Sequence, residues 1–93
     1  MIASLKSAEV AKIWERGVSR RLPPDIQRIV LRKLEVLDAV TDLLDLRTPP
    51  GNRLEALKND RAGQHSIRIN DQWRLCFVRR QGDAHEVEIA DYH

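Results

Sequence analysis

Residues 66–90 read SIRINDQWRLCFVRRQGDAHEVEIA, and apolar and polar side chains alternate along most of this stretch. Such alternation is typical of strands with one buried face. Two turn signals interrupt it, Asn70-Asp71 and Gln81-Gly82-Asp83. The sequence therefore predicts three consecutive antiparallel strands, whose apolar positions are Ile67 and Ile69, then Trp73, Leu75 and Phe77, then Val87 and Ile89.

The middle strand of this set carries a cation on its second face. If Trp73, Leu75 and Phe77 pack against the rest of the protein, Arg74 projects from the opposite face, which Cys76 shares. An arginine held in mid-strand on an open sheet face is well placed to bind an anion. A salt bridge is the simpler alternative, and alternation alone does not decide between the two.

The first twenty residues predict a short strand and a helix. Ile2–Lys6 is the candidate strand, and Ser7 is a candidate N-cap for the helix. Gly17 is a stop signal. The apolar positions at helical spacing are Val10, Ile13 and Trp14, with Val18 as a further candidate.

A stronger helix begins at Pro23-Pro24-Asp25, because proline is tolerated in the first turn. A short helix around 41–46 and a loop at 48–52 follow. Helices thus precede the strands, which predicts an α+β domain with an N-terminal strand and helices packed on one face of a small, mainly antiparallel sheet. The apolar stripe of the strong helix is Ile26, Ile29, Val30, Leu34 and Leu37.

Length and composition predict one cytoplasmic domain over residues 1–93. Hydrophobic residues make up 42% of the 93 positions, which suffices for a single core. The lone cysteine, Cys76, cannot form an internal disulfide, and this favours a reducing compartment. The first residues, MIASLKSAEV, lack the apolar run of a signal peptide, and no segment has transmembrane length, so no membrane partner is expected.

The net charge of +2 is unevenly distributed. Residues 46–80 carry eight basic and three acidic side chains, whereas residues 81–93 carry four acidic and no basic ones. A basic segment can complement phosphate, and a solvated, salt-bridged surface explains the charge equally well. The three histidines lack paired ligand spacing and no glycine-rich phosphate loop is present, so neither a metal nor another cofactor is expected.

Residues 52–74, NRLEALKNDRAGQHSIRINDQWR, resemble the HigB branch of the RelE-like toxin family. The preceding Pro49-Pro50-Gly51 and the closing Asp91-Tyr92-His93 are similar to that family too. The resemblance implies a RelE-like fold and a metal-independent endoribonuclease that cuts messenger RNA in the ribosomal decoding site. It also implies a HigA-like helix-turn-helix antitoxin as partner, with operator DNA contacted only through the antitoxin complex.

The resemblance also implies which residues act. The family's catalytic lysine corresponds to Lys58, its strand arginine to Arg74, and its C-terminal acid, tyrosine and histidine to Asp91, Tyr92 and His93. Arg53, Arg61 and Arg68, in the same block, are candidate RNA contacts.

One position departs from the family pattern. Some relatives have a histidine shortly before the lysine, whereas Glu55 stands here. Either Glu55 replaces that histidine in acid–base work, or His93 acts without it.

These residue types suit metal-free cleavage by the 2′-hydroxyl of RNA. An imidazole has an ordinary pKa near 6.5, so His93 can exchange a proton at neutral pH. Arg74 can hold a phosphate with two N–H groups, and Lys58 can add a point charge. Tyr92 can stack on a base or donate to a phosphate oxygen, and Asp91 can orient His93 or accept a proton.

Two other functions compete with cleavage. The basic segment is compatible with a non-catalytic module that binds RNA or a partner. The N-terminal helices are compatible with a DNA-binding regulator, although their charges nearly balance and no recognition face stands out.

Overall fold

The computed structural model of the protein describes residues 1–91. Tyr92 and His93, both predicted site residues, lie outside the described residues. Two helices precede a four-stranded sheet, so the α+β prediction is confirmed. No helix within residues 1–91 is long and apolar enough to cross a membrane.

The helices begin where the sequence predicts. Helix α1 covers Ala8–Trp14, and the Oγ atom of Ser7 accepts a hydrogen bond from the Val10 amide at its N-terminus. Helix α2 covers Pro24–Ala39 and starts with proline in its first turn. The predicted third helix is a 3-10 helix over Leu43–Arg47.

The sheet consists of β1 (Glu55–Ala56), β2 (Gln64–Arg68), β3 (Trp73–Arg80) and β4 (Asp83–Asp91). The strands pair in the order in which they occur, and every pair is antiparallel. The three long strands confirm the meander predicted from the alternation. Strand β1 has only two residues, which are too few to show a period, and it was not predicted.

The N-terminal segment lies beside β4, but it is not a full strand as predicted. Ile2 and Leu5 form isolated parallel bridges with Ala84 and Val87. Between the bridges the segment follows β4 with alternating backbone bonds, such as Ala3 N to Ala84 O at 2.7 Å.

The core lies between the helices and one face of the sheet. Val10 and Ile13 of α1 and four residues of α2 are buried against Leu75, Phe77 and Val87. Trp14 and Trp73 are partly buried and pack against this core, as predicted. The four residues of α2 are Ile26, Val30, Leu34 and Leu37.

Two predicted core residues are instead exposed. Ile29 has 39% of its surface exposed, because it lies at the margin of the buried stripe of α2. Val18 has 73% exposed, because α1 ends at Trp14 and the chain leaves the helical path before it.

A β-bulge shifts the register between β3 and β4. Cys76 lies opposite Glu88, whereas Val78 lies opposite His85, so β4 contains one extra residue in this interval. Glu86 has a left-handed backbone with φ of +52°. The extra residue allows Ala84 and Val87, three positions apart, to be buried in the same core.

Candidate active site

The sheet face turned away from the helices carries two arginines side by side. Arg68 on β2 lies directly opposite Arg74 on β3. Both alternate with the buried core residues Ile67 and Leu75, so they project from the other face, as predicted for Arg74. Like charges opposite each other in an antiparallel pair repel. Asp71 pairs with Arg68 and offsets part of that repulsion. An anion held against both arginines offsets more of it, so this pair is a candidate phosphate site.

Hydrogen bonds hold the guanidinium of Arg74 in place. Its Nε donates to the Oγ atom of Ser66 at 2.7 Å, and one terminal nitrogen donates to the carbonyl oxygen of Arg53 at 2.6 Å. Ser66 is fully buried on β2. The side chain therefore approaches the open face in a fixed orientation, which is what two-pronged binding of a phosphate requires.

Arg53 supports the site through its backbone. It has a left-handed backbone with φ of +46°, and this conformation accompanies the approach of its carbonyl group to Arg74. Its own side chain is exposed just before β1. A direct contact of that side chain with RNA stays a prediction.

A buried asparagine fixes the loop that precedes β1. Asn52 is completely buried, and its Nδ2 donates to the carbonyl oxygens of Leu46 at 3.1 Å and Thr48 at 3.4 Å. Its Oδ1 accepts a hydrogen bond from Lys33 of α2. Burial and, to a lesser extent, the charge of Arg32 lower the pKa of Lys33. The loop is thus attached to the helical layer by a polar contact within the protein.

Lys58 and Glu55 lie at the β1 edge of the same region. Lys58 follows β1, is exposed, and precedes the 3-10 helix Asn59–Arg61. Glu55, Lys58 and Arg61 line one shallow depression. Glu55 lies opposite Ser66, the residue whose hydroxyl binds Arg74. Arg61 bonds to Gln64, the first residue of β2, whereas Arg74 lies opposite Arg68, the last residue of that strand, so the candidates of residues 53–74 are spread along β2.

An acidic residue that the sequence analysis missed lies on this face. Glu88 on β4 forms ion pairs with Lys6 at 3.2 Å and with Arg61 at 3.5 Å. Only 16% of its side chain is exposed. Arg61 also donates to Gln64 on β2, so its side chain spans the sheet above Cys76 of β3. No local motif marks Glu88, because its partners come from distant parts of the chain.

Asp91 lies at the end of β4. The register places it opposite Trp73, whereas its neighbour Ala90 lies opposite Arg74. Strand alternation therefore directs Asp91 to the Trp73 side of the sheet. Its carboxylate accepts a hydrogen bond from Nε2 of Gln72 at 3.1 Å. The structure does not bring Asp91 and Arg74 onto the same face.

The described histidines do not join this site. His65 is on the core side of β2 and stacks on Phe77, with 6.2 Å between ring centroids. His85 lies opposite Val78, beyond the bulge, next to Arg80 and Gln81. Within residues 1–91 no three His, Cys, Asp or Glu side chains form a metal-ligand group.

Comparison with known proteins gives concordant matches. Residues 3–93 match the model of a family described as RelE-like toxin of type II toxin–antitoxin system HigB. The chain is 50% identical over 78 residues to Toxin HigB-1 of Vibrio cholerae, covering 83% of this chain and 82% of that protein. It is 35% identical to Endoribonuclease HigB of Proteus vulgaris over 94 residues, with full coverage of both chains.

A solved structure shares the fold. A chain of the YoeB-YefM complex from Staphylococcus aureus superimposes with a TM-score of 0.59 and 17% sequence identity. The match covers 100% of this chain and 98% of that one. At this identity the likeness concerns the arrangement of helices and strands.

Proposed function

This chain belongs to the HigB-like family of RelE-like toxins of type II toxin–antitoxin systems, and from that premise we propose that it is an endoribonuclease. Its substrate is messenger RNA in the decoding site of a translating ribosome. The observation that carries this proposal is the guanidinium of Arg74 on the open sheet face, which is held by Ser66 and by the Arg53 carbonyl.

The proposed reaction is attack of the RNA 2′-hydroxyl on the adjacent phosphorus. A base removes the 2′ proton, the P–O5′ bond breaks, and an acid protonates the leaving 5′ oxygen. The products are a 2′,3′-cyclic phosphate and a 5′-hydroxyl end. Arg74 and Lys58 bind the phosphate oxygens, and their fixed charges stabilise the extra negative charge of the transition state.

The acid and the base come from the remaining candidates. His93 is the proposed acid, because an imidazolium can donate a proton near neutral pH. Tyr92 stacks on a base or donates to the phosphate. Asp91, already accepting a hydrogen bond from Gln72, orients this end of the chain. Glu55, exposed beside Lys58, is the alternative acid–base group.

Three basic residues extend the interface beyond the scissile phosphate. Arg61, Arg68 and the exposed side chain of Arg53 are the proposed contacts with neighbouring phosphates. The interaction is electrostatic, so binding weakens as the salt concentration rises.

The proposed biological partner is a HigA-like helix-turn-helix antitoxin. Operator DNA is contacted through the toxin–antitoxin complex, and the toxin acts in the cytoplasm. No metal or other cofactor takes part in the proposed reaction.

Primer extension and end-labelling of RNA cleaved on programmed ribosomes test the reaction. Wild-type protein should leave 5′-hydroxyl ends, whereas 3′-hydroxyl and 5′-phosphate ends would exclude attack by the 2′-hydroxyl. Induction in bacteria should arrest growth, and co-expression of the antitoxin should relieve the arrest. A protein that binds ribosomes but leaves the RNA intact would instead be a non-catalytic binding module.

The two acid–base alternatives are separated by their pH profiles. Deletion of His93 should abolish cleavage if this histidine is the acid, and Glu55→Gln should then have a mild effect. If Glu55→Gln abolishes cleavage and deletion of His93 has a mild effect, Glu55 is the acid–base group. Single-turnover rates between pH 5 and 9 distinguish a lost titrating group from a lost structural contact.

A further inference from the structure

A line of contacts runs from helix α2 to the guanidinium of Arg74. Lys33 on α2 donates a hydrogen bond to Oδ1 of Asn52. The next residue along the chain is Arg53, whose carbonyl oxygen accepts a hydrogen bond from a terminal nitrogen of Arg74 at 2.6 Å. Because Asn52 and Arg53 are consecutive, a contact that fixes the first residue also limits where the carbonyl group of the second can lie.

The side chain of Asn52 is fixed by partners in different parts of the chain. It is completely buried, and its Nδ2 donates to the carbonyl oxygens of Leu46 and Thr48, while its Oδ1 accepts from Lys33. Its backbone nitrogen donates to the carbonyl oxygen of Pro49 at 2.9 Å. The amide group therefore has one favoured orientation, because rotating it leaves a buried polar group without a partner.

The backbone of Arg53 needs support of this kind. Its φ of +46° and ψ of +56° are left-handed values, which a residue with a Cβ atom adopts at a cost in free energy. Such a conformation persists where the surrounding structure holds it. Asn52 precedes Arg53, and β1 begins two residues after it. Rotation of Arg53 to an ordinary conformation would turn its carbonyl group away from Arg74.

Ser66 and Arg53 restrict different parts of the Arg74 guanidinium. The Oγ atom of Ser66 accepts from Nε at 2.7 Å, and the Arg53 carbonyl accepts from a terminal nitrogen. The same terminal nitrogen donates to the backbone carbonyl of Ser66 at the longer distance of 3.4 Å. Two-pronged binding of a phosphate depends on the plane of the guanidinium. Loss of the Arg53 contact would therefore alter the direction of Arg74 without removing its charge.

We propose that Asn52 is a positioning residue for Arg74. It holds Arg53 in the left-handed conformation, and the carbonyl group of Arg53 then sets the direction of the guanidinium. This role rests on the proposed function, since Arg74 is the cation proposed to bind the scissile phosphate. Asn52 itself is completely buried and acts only through its neighbours. Lys33 contributes by linking the same amide to α2.

The orientation of Arg74 can be measured without RNA, by NMR of the full, isotope-labelled chain. A guanidinium bonded at a terminal nitrogen rotates slowly about its Nε–Cζ bond and gives separate terminal N–H signals, whereas a loosely held one gives averaged signals. The Arg74→Lys variant assigns these signals by their loss. We expect separate terminal signals in the wild type and averaged ones in Asn52→Ala. The Nε–H signal should persist in both, because Ser66 still accepts its bond.

Cleavage kinetics on programmed ribosomes provide the second measurement. Asn52→Ala should lower kcat by about tenfold or more with little change in KM, because a group that acts on the transition state is misdirected. In an Arg74→Ala background the same substitution should lower kcat no further. Leu34→Ala is the matched control, since it removes a fully buried apolar side chain of α2. It should lose stability but keep the Arg74 signals and the kcat of the wild type.

If Asn52→Ala does not fold, Lys33→Met takes its place, because it removes one partner of Asn52 and leaves the bonds to Leu46 and Thr48. It should give the same changes to a smaller degree. Wild-type Arg74 signals and wild-type kcat in the folded variant would overturn the proposal. A loss of kcat that is as large in the Arg74→Ala background would overturn it too, since Asn52 would then act by another route. A wild-type protein that leaves RNA intact would contradict the proposed function, whereas the spectra would still test the role of Asn52.

Discussion

Arg74 has two roles that the sequence pattern does not separate. It is a cation on the open face, and it is also a donor to the buried hydroxyl of Ser66 and to the Arg53 carbonyl. From strand alternation alone, an arginine on the open face is expected to be removable with little loss of stability. The observed contacts show that its removal takes hydrogen-bond partners away from groups inside the protein.

We therefore expect Arg74→Ala to lower the single-turnover cleavage rate by about a hundredfold or more, as is typical when a donor to the transition state is lost. Stability should fall by about 1 kcal/mol, because the Ser66 hydroxyl loses a partner. Arg74→Lys should recover stability better than activity, since lysine cannot reproduce the planar pair of donors. Arg47→Ala is the control for a general loss of charge. A folded Arg74→Ala variant with a near-normal rate would remove Arg74 from the site.

Glu88 has two opposing effects on the proposed binding of RNA. An acidic residue on the proposed RNA-binding face should repel RNA, yet Glu88 forms ion pairs that hold Lys6 and Arg61 in position. If repulsion dominated, Glu88→Gln would tighten RNA binding. If positioning dominates, the same substitution weakens it, because Arg61 loses its fixed direction.

We expect positioning to dominate, with Glu88→Gln raising KM several-fold while kcat changes little. Its effect should be much smaller in an Arg61→Ala background, because residues that act through each other are not additive. Cleavage kinetics of the two single variants and the double variant provide this cycle. Tighter RNA binding by Glu88→Gln would contradict the positioning role.

At the scale of elements, the loop between α2 and β1 depends on the contact of Lys33 with Asn52. The burial of Lys33 gives the protein a pH dependence with a defined sign. The pKa of Lys33 is lowered in the folded protein by burial and by Arg32, so the folded chain binds this proton less tightly than the unfolded chain does. Stability attributable to Lys33 therefore rises with pH.

The prediction concerns the difference in unfolding free energy between wild type and Lys33→Met. Below the folded pKa of Lys33 the difference is constant. As the pH rises from the folded pKa towards the ordinary lysine value of 10.5, the unfolding free energy of the wild type should increase relative to that of Lys33→Met. Denaturant unfolding of both proteins between pH 7 and 10.5 measures it. A difference that stays constant or moves the other way would show that the folded chain holds this proton at least as tightly as the unfolded chain does.

The elements also show what the sequence could and could not reveal. The alternation of apolar and polar residues predicted the three long strands, because each strand has one buried face. It also predicted the sheet face from which Arg74 projects. The bulge at Glu86 could not be read from this pattern, since a left-handed residue there shifts the period by one. The role of Glu88 was missed because Arg61 lies 27 residues away and Lys6 lies in the N-terminal segment.

At the scale of the molecule, the sheet separates two basic surfaces. One face carries Arg68 and Arg74, and the helices cover the other face. Residues 12–33, at the end of α1 and in the first half of α2, contain seven basic and two acidic side chains, so the helical layer is basic as well. The proposed RNA contacts therefore belong to one of two basic surfaces.

The stability of the fold depends on contact between the N-terminal segment and the last strand, β4. The N-terminal segment pairs with β4 through Ile2 and Leu5, and the Ile2 amide also donates to Asp38 of α2 at 2.8 Å. Both aliphatic side chains pack against the core. The segment thus links the last strand to the helical layer, and it covers an edge of β4 that would otherwise have unpaired backbone groups.

Deletion of residues 1–5, which retains Lys6 as a partner of Glu88, should lower stability by about 3 kcal/mol through the lost burial of two aliphatic side chains. It should also promote self-association through the uncovered edge of β4. The double variant Ile2→Ala/Leu5→Ala is the matched control, because it loses the packing but retains the backbone pairing. It should be destabilised and yet stay monomeric. Chemical denaturation and light scattering separate the two effects, since a chain that forms the predicted single domain should unfold in one cooperative step. If the truncated protein matched the wild type in both measurements, the N-terminal segment would be dispensable and the fold would rest on the helices and β1–β4 alone.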